Sequence, residues 1–314
     1  MPSDHFFART VHGLEDLAAA ELESHGCTIV SATKRQLLLR GAPGPARLLD
    51  DLFRLLVRAD DPGRSKAALA GAIAGLRPIH HAGPFSVTAS FTGPRNYSRY
   101  DLEDAVARII GGRYATRRDG QRPPTDAVDF RVTLGADGLL IGRRVTERPL
   151  HRRLWKVATI PGTLHPPVAA AMARLADLRS GHLVVDPCCG AGTLLIEAAS
   201  IAPEAKFRGS DTSAVALAAA TANGPGLDWE RHDTIRLPYS TGEVDRILVN
   251  PPWGVQVPAL RAGAEAEWRR VLRPGGLLIA LLPPDLSLPG WRIRAERPIS
   301  LAGRHPRIVV AQPG

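Results

Sequence analysis

Cysteine is scarce in this 314-residue chain: three residues, Cys27, Cys188 and Cys189. Three thiols cannot build a disulfide framework, which fits a reducing compartment and a cytoplasmic protein. No His/Cys set falls at metal-ligand spacing. The isolated histidines (His80, His81, His165, His232) lack an HExxH pattern and read as loop or structural residues, so no metal is expected. No apolar run reaches the roughly 18–20 residues that a bilayer span needs. The opening MPSDHFFART has no positive region followed by an apolar stretch, so no signal peptide is expected. Lysine is nearly missing, with four among 40 basic residues, so the positive charge is carried by arginine.

What is present is length for two domains, 44% hydrophobic residues and a net charge of +9. The charge is uneven. Residues 1–160 hold 24 basic and 17 acidic side chains, whereas 161–314 hold 16 and 14. Residues 108–156 alone carry 12 against 5, and arginine forks suit phosphate oxygens, so a polyanionic partner is expected. A solvated basic surface is the alternative.

In the first half, GLEDLAAAELESHG (13–26) reads as an amphipathic helix stopped at Gly26, followed by strands TIVSAT and RQLLLR. A second helix is expected near 46–58 and a third near 65–76. FSVTASF alternates like a strand, and Asp101 is placed as cap of the helix LEDAVARIIGGRY. Residues 127–145 read as two strands joined at Ala136-Asp137-Gly138. This is a mixed α+β unit. The second half alternates strand and helix: HLVVD, TLLIEAAS, AKFRGSD, SAVALAAATAN, DRILVN, a helix near 259–272, and GLLIALL. That order predicts an open, mostly parallel α/β sheet, closed by an antiparallel pair from WRIRAERPI and RIVVAQ.

Chemistry is expected at the carboxyl ends of these strands. HLVVDPCCGAGTLL places Asp186 at a strand end before a glycine turn, where Gly190 and Gly192 admit a close ligand. The third glycine of the dinucleotide fingerprint is missing. Asp211 lies 25 residues on, placed to accept the hydroxyls of a ribose; Asp233 follows after 22, within reach of an adenine amine. Asn250 follows after 17 more and opens the run NPPW. Prolines stop the strand and stiffen its exit. The Asn250 side-chain oxygen and the Pro251 carbonyl can both accept from an exocyclic amine, orienting it and stabilising the positive charge that develops as it attacks a methyl. Trp253 offers a face for an unstacked base.

In these segments the chain resembles the THUMP-domain RNA methyltransferases of the Rossmann-like, S-adenosylmethionine (SAM)-dependent class, above all the subgroup that forms N2-methylguanosine in tRNA. FFARTVHGLEDLAAAELESHG is similar to that group's opening, and LHRRLWKVATIPGTLHPPVAAAM to its linker and the segment lying against the cofactor. DPCCGAGTLLIEAA and NPPWG are similar to its first and fourth motifs, with Trp where Tyr or Phe is common. The resemblance implies a ferredoxin-like part at 1–58, a THUMP RNA-binding module at 59–145, a linker at 146–164 and a methyltransferase domain at 165–314. It implies SAM as cofactor, contacted by Thr163, Leu164, His165, Asp186, Cys188, Gly190, Gly192, Thr193, Asp211, Asp233 and Asn250. It implies the target amine at Asn250, Pro251 and Pro252, and the stacked base on Trp253. The implied partner is tRNA near its acceptor stem, bound by a cytoplasmic monomer. Arg95, Arg113, Arg117, Arg118, Arg143, Arg144, Arg152 and Arg153 are the residues expected on RNA. The alternatives are an amine on rRNA or DNA bases, and an RNA-binding protein with a non-catalytic methyltransferase fold. About 60 residues follow NPPW, enough to finish the sheet without a further recognition region, which favours RNA over DNA.

Overall fold

The computed structural model describes residues 4–118, 120–252 and 261–314. The chain divides into two units. One comprises Met1–Thr10, Ala19–Ala46 and Asp50–Leu150, the other Val11–Ala18, Arg47–Leu49 and His151–Gly314.

The elements of the first half are β1 (His5–Thr10), α1 (Glu15–Ser24), β2 (Thr28–Thr33), β3 (Gln36–Arg40), β4 (Leu49–Ala59), α2 (Lys66–Ala74), β5 (Pro84–Phe91), α3 (Arg99–Ala107), β6 (Arg113–Tyr114), β7 (Val128–Gly135) and β8 (Gly138–Arg144). They form one eight-stranded sheet in the order β2-β3-β1-β4-β8-β7-β5-β6. Phe85, Val87, Phe130, Val132 and Ile141 pack from the strands against Leu69 and Ile73 of α2 and Leu102 and Val106 of α3. Gly26, with φ +82°, ends α1: its N–H donates to the Glu23 carbonyl and that of Cys27 to Leu22.

Two local expectations are corrected. Residues 46–58 are not a helix but enter β4, which pairs antiparallel with β8. From Phe53 its burial alternates, with Phe53 and Leu55 inside and Arg54 and Leu56 outside, the period of a strand. The cap of α3 is Ser98, whose hydroxyl accepts from the Asp101 N–H; Asp101 is the third residue of the capping box and returns a bond to the Ser98 N–H. At the β7–β8 turn, Asp137 accepts from Ser31, Thr33 and Gln36 at 2.6, 3.2 and 2.8 Å.

The second half contributes α4 (Pro166–Leu175), β9 (Leu183–Asp186), α5 (Thr193–Ile201), β10 (Lys206–Ser210), α6 (Ala214–Asn223), β11 (Asp228–Glu230), β12 (Val244–Val249), α7 (Ala264–Val271), β13 (Leu272–Leu282), β14 (Trp291–Pro298) and β15 (Arg307–Pro313). The sheet order is β11-β10-β9-β12-β13-β15-β14. The first five strands run parallel; β15 pairs antiparallel with β13 and with β14. This is the Rossmann-like methyltransferase arrangement, and it sends β9, β10 and β12 toward one edge with their carboxyl ends together. All six residues of β12 are buried. Its Arg246 is tolerated because the guanidinium donates to the Ala176, Asp177 and Asp245 carbonyls at 2.6, 3.1 and 2.9 Å, two of them just past the C-terminus of α4. Glu197 of α5 is fully buried and takes Arg47 at 2.9 Å and Arg153 at 2.7 Å. Among the described residues no helix is long and apolar enough to cross a membrane.

Candidate active site

The strand ends build the site from its floor. At the end of β9, the Cys188 N–H donates to Asp186 Oδ1 at 3.0 Å, starting the glycine turn. Asp211, just past β10, holds two loops at once: Oδ2 accepts from Gly190 N–H at 3.0 Å and Oδ1 from Ser213 N–H at 2.9 Å. Two donors leave lone pairs on this carboxylate for a ligand. Gly190 sits at φ +53°, and a Cβ there would meet only Ile160, at 3.8 Å, so the turn is open on the ligand side.

Gly192 faces elsewhere. It is the N-cap of α5, and a Cβ on it would lie 2.7 Å from the Trp229 ring. Gly209 and Gly224 leave room for the same indole, whose Nε1 donates to the Gly224 carbonyl at 2.8 Å. Gly192 is therefore a packing glycine, not a cavity-lining one. Sequence reading missed Trp229, although three glycines around one tryptophan in separate elements were its signal. It also missed Asn223. The Asn223 Oδ1 accepts from Val157 and Ala158 at 2.9 and 2.8 Å, while Nδ2 donates to the Ala158 and Ala191 carbonyls. One amide thus pins the linker to the glycine turn.

Three cavities meet here. The first, about 250 Å³, is lined by Thr163, Leu164, Asp186, Cys188, Gly190, Thr193, Asp211, Asn250 and Pro252 among others. The second, about 650 Å³, takes in Lys156, Thr163, Leu164, His165, Asn250, Pro251, Pro252, Leu281, Leu301, Ala302 and Arg304. The third, about 140 Å³, holds Cys188, Asp211, Asp233, Pro251, Pro252 and Arg261. Asp233 lies three residues beyond β11 and is ion-paired with Arg261. The Thr163 hydroxyl is engaged with the Ile160 backbone on both sides, at 2.9 and 2.5 Å, so it shapes the wall. Trp253 lies outside the described residues.

Burial dominates the electrostatics. It pushes the Asp186 carboxyl up to about 8, against a lowering bond from Cys188, with the nearby Asp211 charge adding to the rise. Burial also pushes the Cys188 thiol up to about 12 and Cys189 upward, so neither is a nucleophile at neutral pH. The Lys156 ammonium, which donates to the Leu164 carbonyl at 3.3 Å, is shifted down by burial.

Residues 153–266 match the UPF0020 family model, the RMKL-like methyltransferase domain. The tRNA (guanine(6)-N2)-methyltransferase of Thermus thermophilus is 33% identical over 336 residues, covering 97% of this chain and 98% of the relative. The chain belongs to the family of RNA guanine-N2 methyltransferases. A second relative, the tRNA (guanine(6)-N2)-methyltransferase of Archaeoglobus fulgidus, is 26% identical, covering 80% of this chain and 74% of its own length. The crystal structure of TrmN from Thermus thermophilus superposes with a TM-score of 0.75 at 29% identity, over 99% of both chains.

An RNA guanine-N2 methyltransferase is SAM-dependent, and the first cavity fits that cofactor. Gly190 leaves a cradle open to a ligand, Asp211 keeps acceptor capacity for a diol, and Asp186 is a buried carboxyl beside them. The expected RNA contacts divide. Arg95 is 8% exposed and forks onto Asp61 at 2.6 and 2.7 Å. Arg144 pairs with Asp51 and Asp129, and Arg153 with buried Glu197. These three hold the fold, a correction to their placement on RNA: a guanidinium buried on its own carboxylate is not offered to a phosphate. Arg117 and Arg118 form half-exposed pairs with Asp129 and Asp104. Arg113, Arg143 and Arg152 are exposed without a side-chain partner among the described residues.

Proposed function

We propose that this protein methylates the exocyclic N2 amine of guanosine 6 in tRNA. The observation that carries the reading is that Asn250 and Pro252 line both the 250 Å³ and the 650 Å³ cavities, so the strand exit is a shared wall between the space bordered by Asp186, Asp211 and Gly190 and a larger one beside it. In the first, Asp186, Asp211 and the Gly190 turn hold SAM, with Asp233 reaching its adenine once Arg261 gives way. When bound, the cofactor supplies an electrophilic methyl on a sulfonium. In the second, the Asn250 side-chain oxygen and the Pro251 carbonyl accept from the two amine hydrogens of guanine. The amine's lone pair is otherwise delocalised into the ring; fixing both hydrogens turns it toward the first cavity and stabilises its growing positive charge. No strong base is needed, because a methylated cationic amine loses its proton readily to water. Pro251 and Pro252 keep the exit stiff, so the two acceptors do not reorganise.

The reading includes a ferredoxin-like part at 1–58, a THUMP module at 59–145 that grips tRNA, a linker at 146–164 and the catalytic domain at 165–314. Residues Arg113, Arg143 and Arg152 are its candidate phosphate contacts, in a cytoplasmic monomer. The relatives named for guanine 6 of tRNA support the choice of substrate. Purified protein, labelled SAM and bulk tRNA test it, with nucleoside mass spectrometry of the product. N2-methylguanosine at position 6 is expected. A protein that binds SAM and tRNA but transfers no methyl would sink the enzymatic reading, and a methyl on another base the assigned substrate.

A further inference from the structure

The second cavity carries charge that methyl transfer does not use. Lys156 lies in its wall, half-buried, with one bond to the Leu164 carbonyl and no ion pair among the described residues. The carboxylate that reaches it electrostatically is Glu197, which already serves both Arg47 and Arg153. The neighbourhood therefore keeps a surplus of positive charge at a partly desolvated site, an arrangement that costs energy unless a ligand supplies acceptors. Arg304 lines the same cavity from a two-residue turn, where Leu301 and Arg304 exchange backbone bonds at 2.9 Å. In that turn Ala302 takes φ +49° and Gly303 φ +78°. A non-glycine residue in the left-handed region is strained, and such strain gathers at ligand-holding sites.

The polarity of the cavity is thus split. The lining carries groups of both kinds: Asn250 and Pro251 hold carbonyl acceptors, while the cationic heads of Lys156 and Arg304 are donors only. Guanine is split in the same way, with donors at N1 and N2 and acceptors at O6 and N7. Adenine turned with its amine toward Asn250 has no second acceptor group equivalent to O6. We infer that Lys156 and Arg304 are specificity-determining residues that read the O6/N7 edge of the target guanine. This rests on the proposed base methylation and goes beyond it, because Asn250 and the two prolines by themselves would serve any exocyclic amine. At about 650 Å³ the cavity is within the roughly 300–1,000 Å³ typical of sites for ligands of nucleotide size.

The test uses the full chain and an RNA substrate in which the target guanosine is replaced by 2-aminopurine, which keeps the N2 amine and lacks O6. Wild-type kcat/KM should fall on the order of 10- to 100-fold on the replacement. Lys156→Met and Arg304→Met should each lower kcat/KM for guanosine, and the double variant should treat the two RNAs alike. Lys156→Arg, which keeps the charge, should retain discrimination, and an unchanged Tm shows that the variants fold. Equal losses on both RNAs would overturn the inference, leaving these cations as phosphate contacts. A wild-type enzyme that transfers to neither RNA would overturn both the inference and the function beneath it.

Discussion

Gly209→Ala isolates the packing that supports the cofactor turn. Gly209 lies in β10 outside the left-handed region, so alanine suits its backbone and only space is at issue. The new Cβ would sit 2.4 Å from Trp229 Cε3 and Cζ3 and 3.1 Å from Cys189 Cβ. The indole has little room to retreat, because Gly192 and Gly224 border it and its Nε1 is tied to the Gly224 carbonyl at 2.8 Å. Relieving the clash must shift β11 or the glycine turn, and overpacking of this kind costs about 1–3 kcal/mol. For a unit of this size that is a Tm lower by roughly 2–12 °C. Thermal unfolding and SAM titration read the two consequences, and SAM affinity should fall along with Tm since Gly192 heads α5. In the Gly209→Ala background, Trp229→Leu should cost less than it does alone, since it removes the ring that clashes. A strictly additive pair, or a Gly209→Ala protein with wild-type Tm and SAM affinity, would refute the idea that the three glycines exist for this ring.

Asn250→Ala should lower turnover by about 100-fold or more while SAM binding stays close to wild type, measured by single-turnover transfer and calorimetry. Arg144→Gln should destabilise the protein on the order of 3 kcal/mol, because it strands the buried Asp51 and leaves Asp129 with Arg117 as its one remaining cation among the described residues; denaturant unfolding reads it. Arg113→Gln with Arg143→Gln should leave stability alone but weaken tRNA binding and reduce its salt slope, seen in binding titrations from low to high salt. Asp186 gives a pH signature. Its folded carboxyl is raised from 3.8 to about 8, so the folded state keeps a proton that the unfolded chain has lost between those values. Stability from this group is therefore full below about pH 4 and is lost as pH rises toward 8, by up to about 1.4 kcal/mol per pH unit. Asp186→Asn should flatten that part of the stability curve in SAM-free protein; an unchanged slope would place the proton elsewhere.

Much of the second half could be read from its residues, because parallel strands leave near-continuous apolar runs and their ends carry the chemistry. Asp186, Asp211 and Asn250 were accessible for that reason, and they meet at adjoining cavities. The stretch at 46–58 misled because Leu49, Leu52, Phe53 and Leu56 also satisfy a helical period. What decides for a strand is non-local: β8 supplies the hydrogen bonds, and Arg144, 93 residues away, accommodates a buried Asp51. The arginines misled in a related way. Composition counts charge but not its partner, so Arg95, Arg144 and Arg153 looked like phosphate contacts until their carboxylates were located. Arg304 belongs to no motif and Lys156 sits in the linker stretch with no role assigned to it, and only the cavity gives them a common wall.

The clasp on Glu197 also bears on how this enzyme can be taken apart. The catalytic unit borrows Val11–Ala18 and Arg47–Leu49 from early in the chain. Among these are Asp16, which holds Arg297 at 2.7 Å, and Arg47, one of the two cations on Glu197. A fragment begun at His151 would keep every motif of the transfer site and still bury a carboxylate with half its counter-charge gone. The methyltransferase unit is thus no cassette to be cut before His151 and spliced to another N-terminal unit. Exchange of that unit must carry these two short pieces along, a constraint on engineering and on descent by fusion alike.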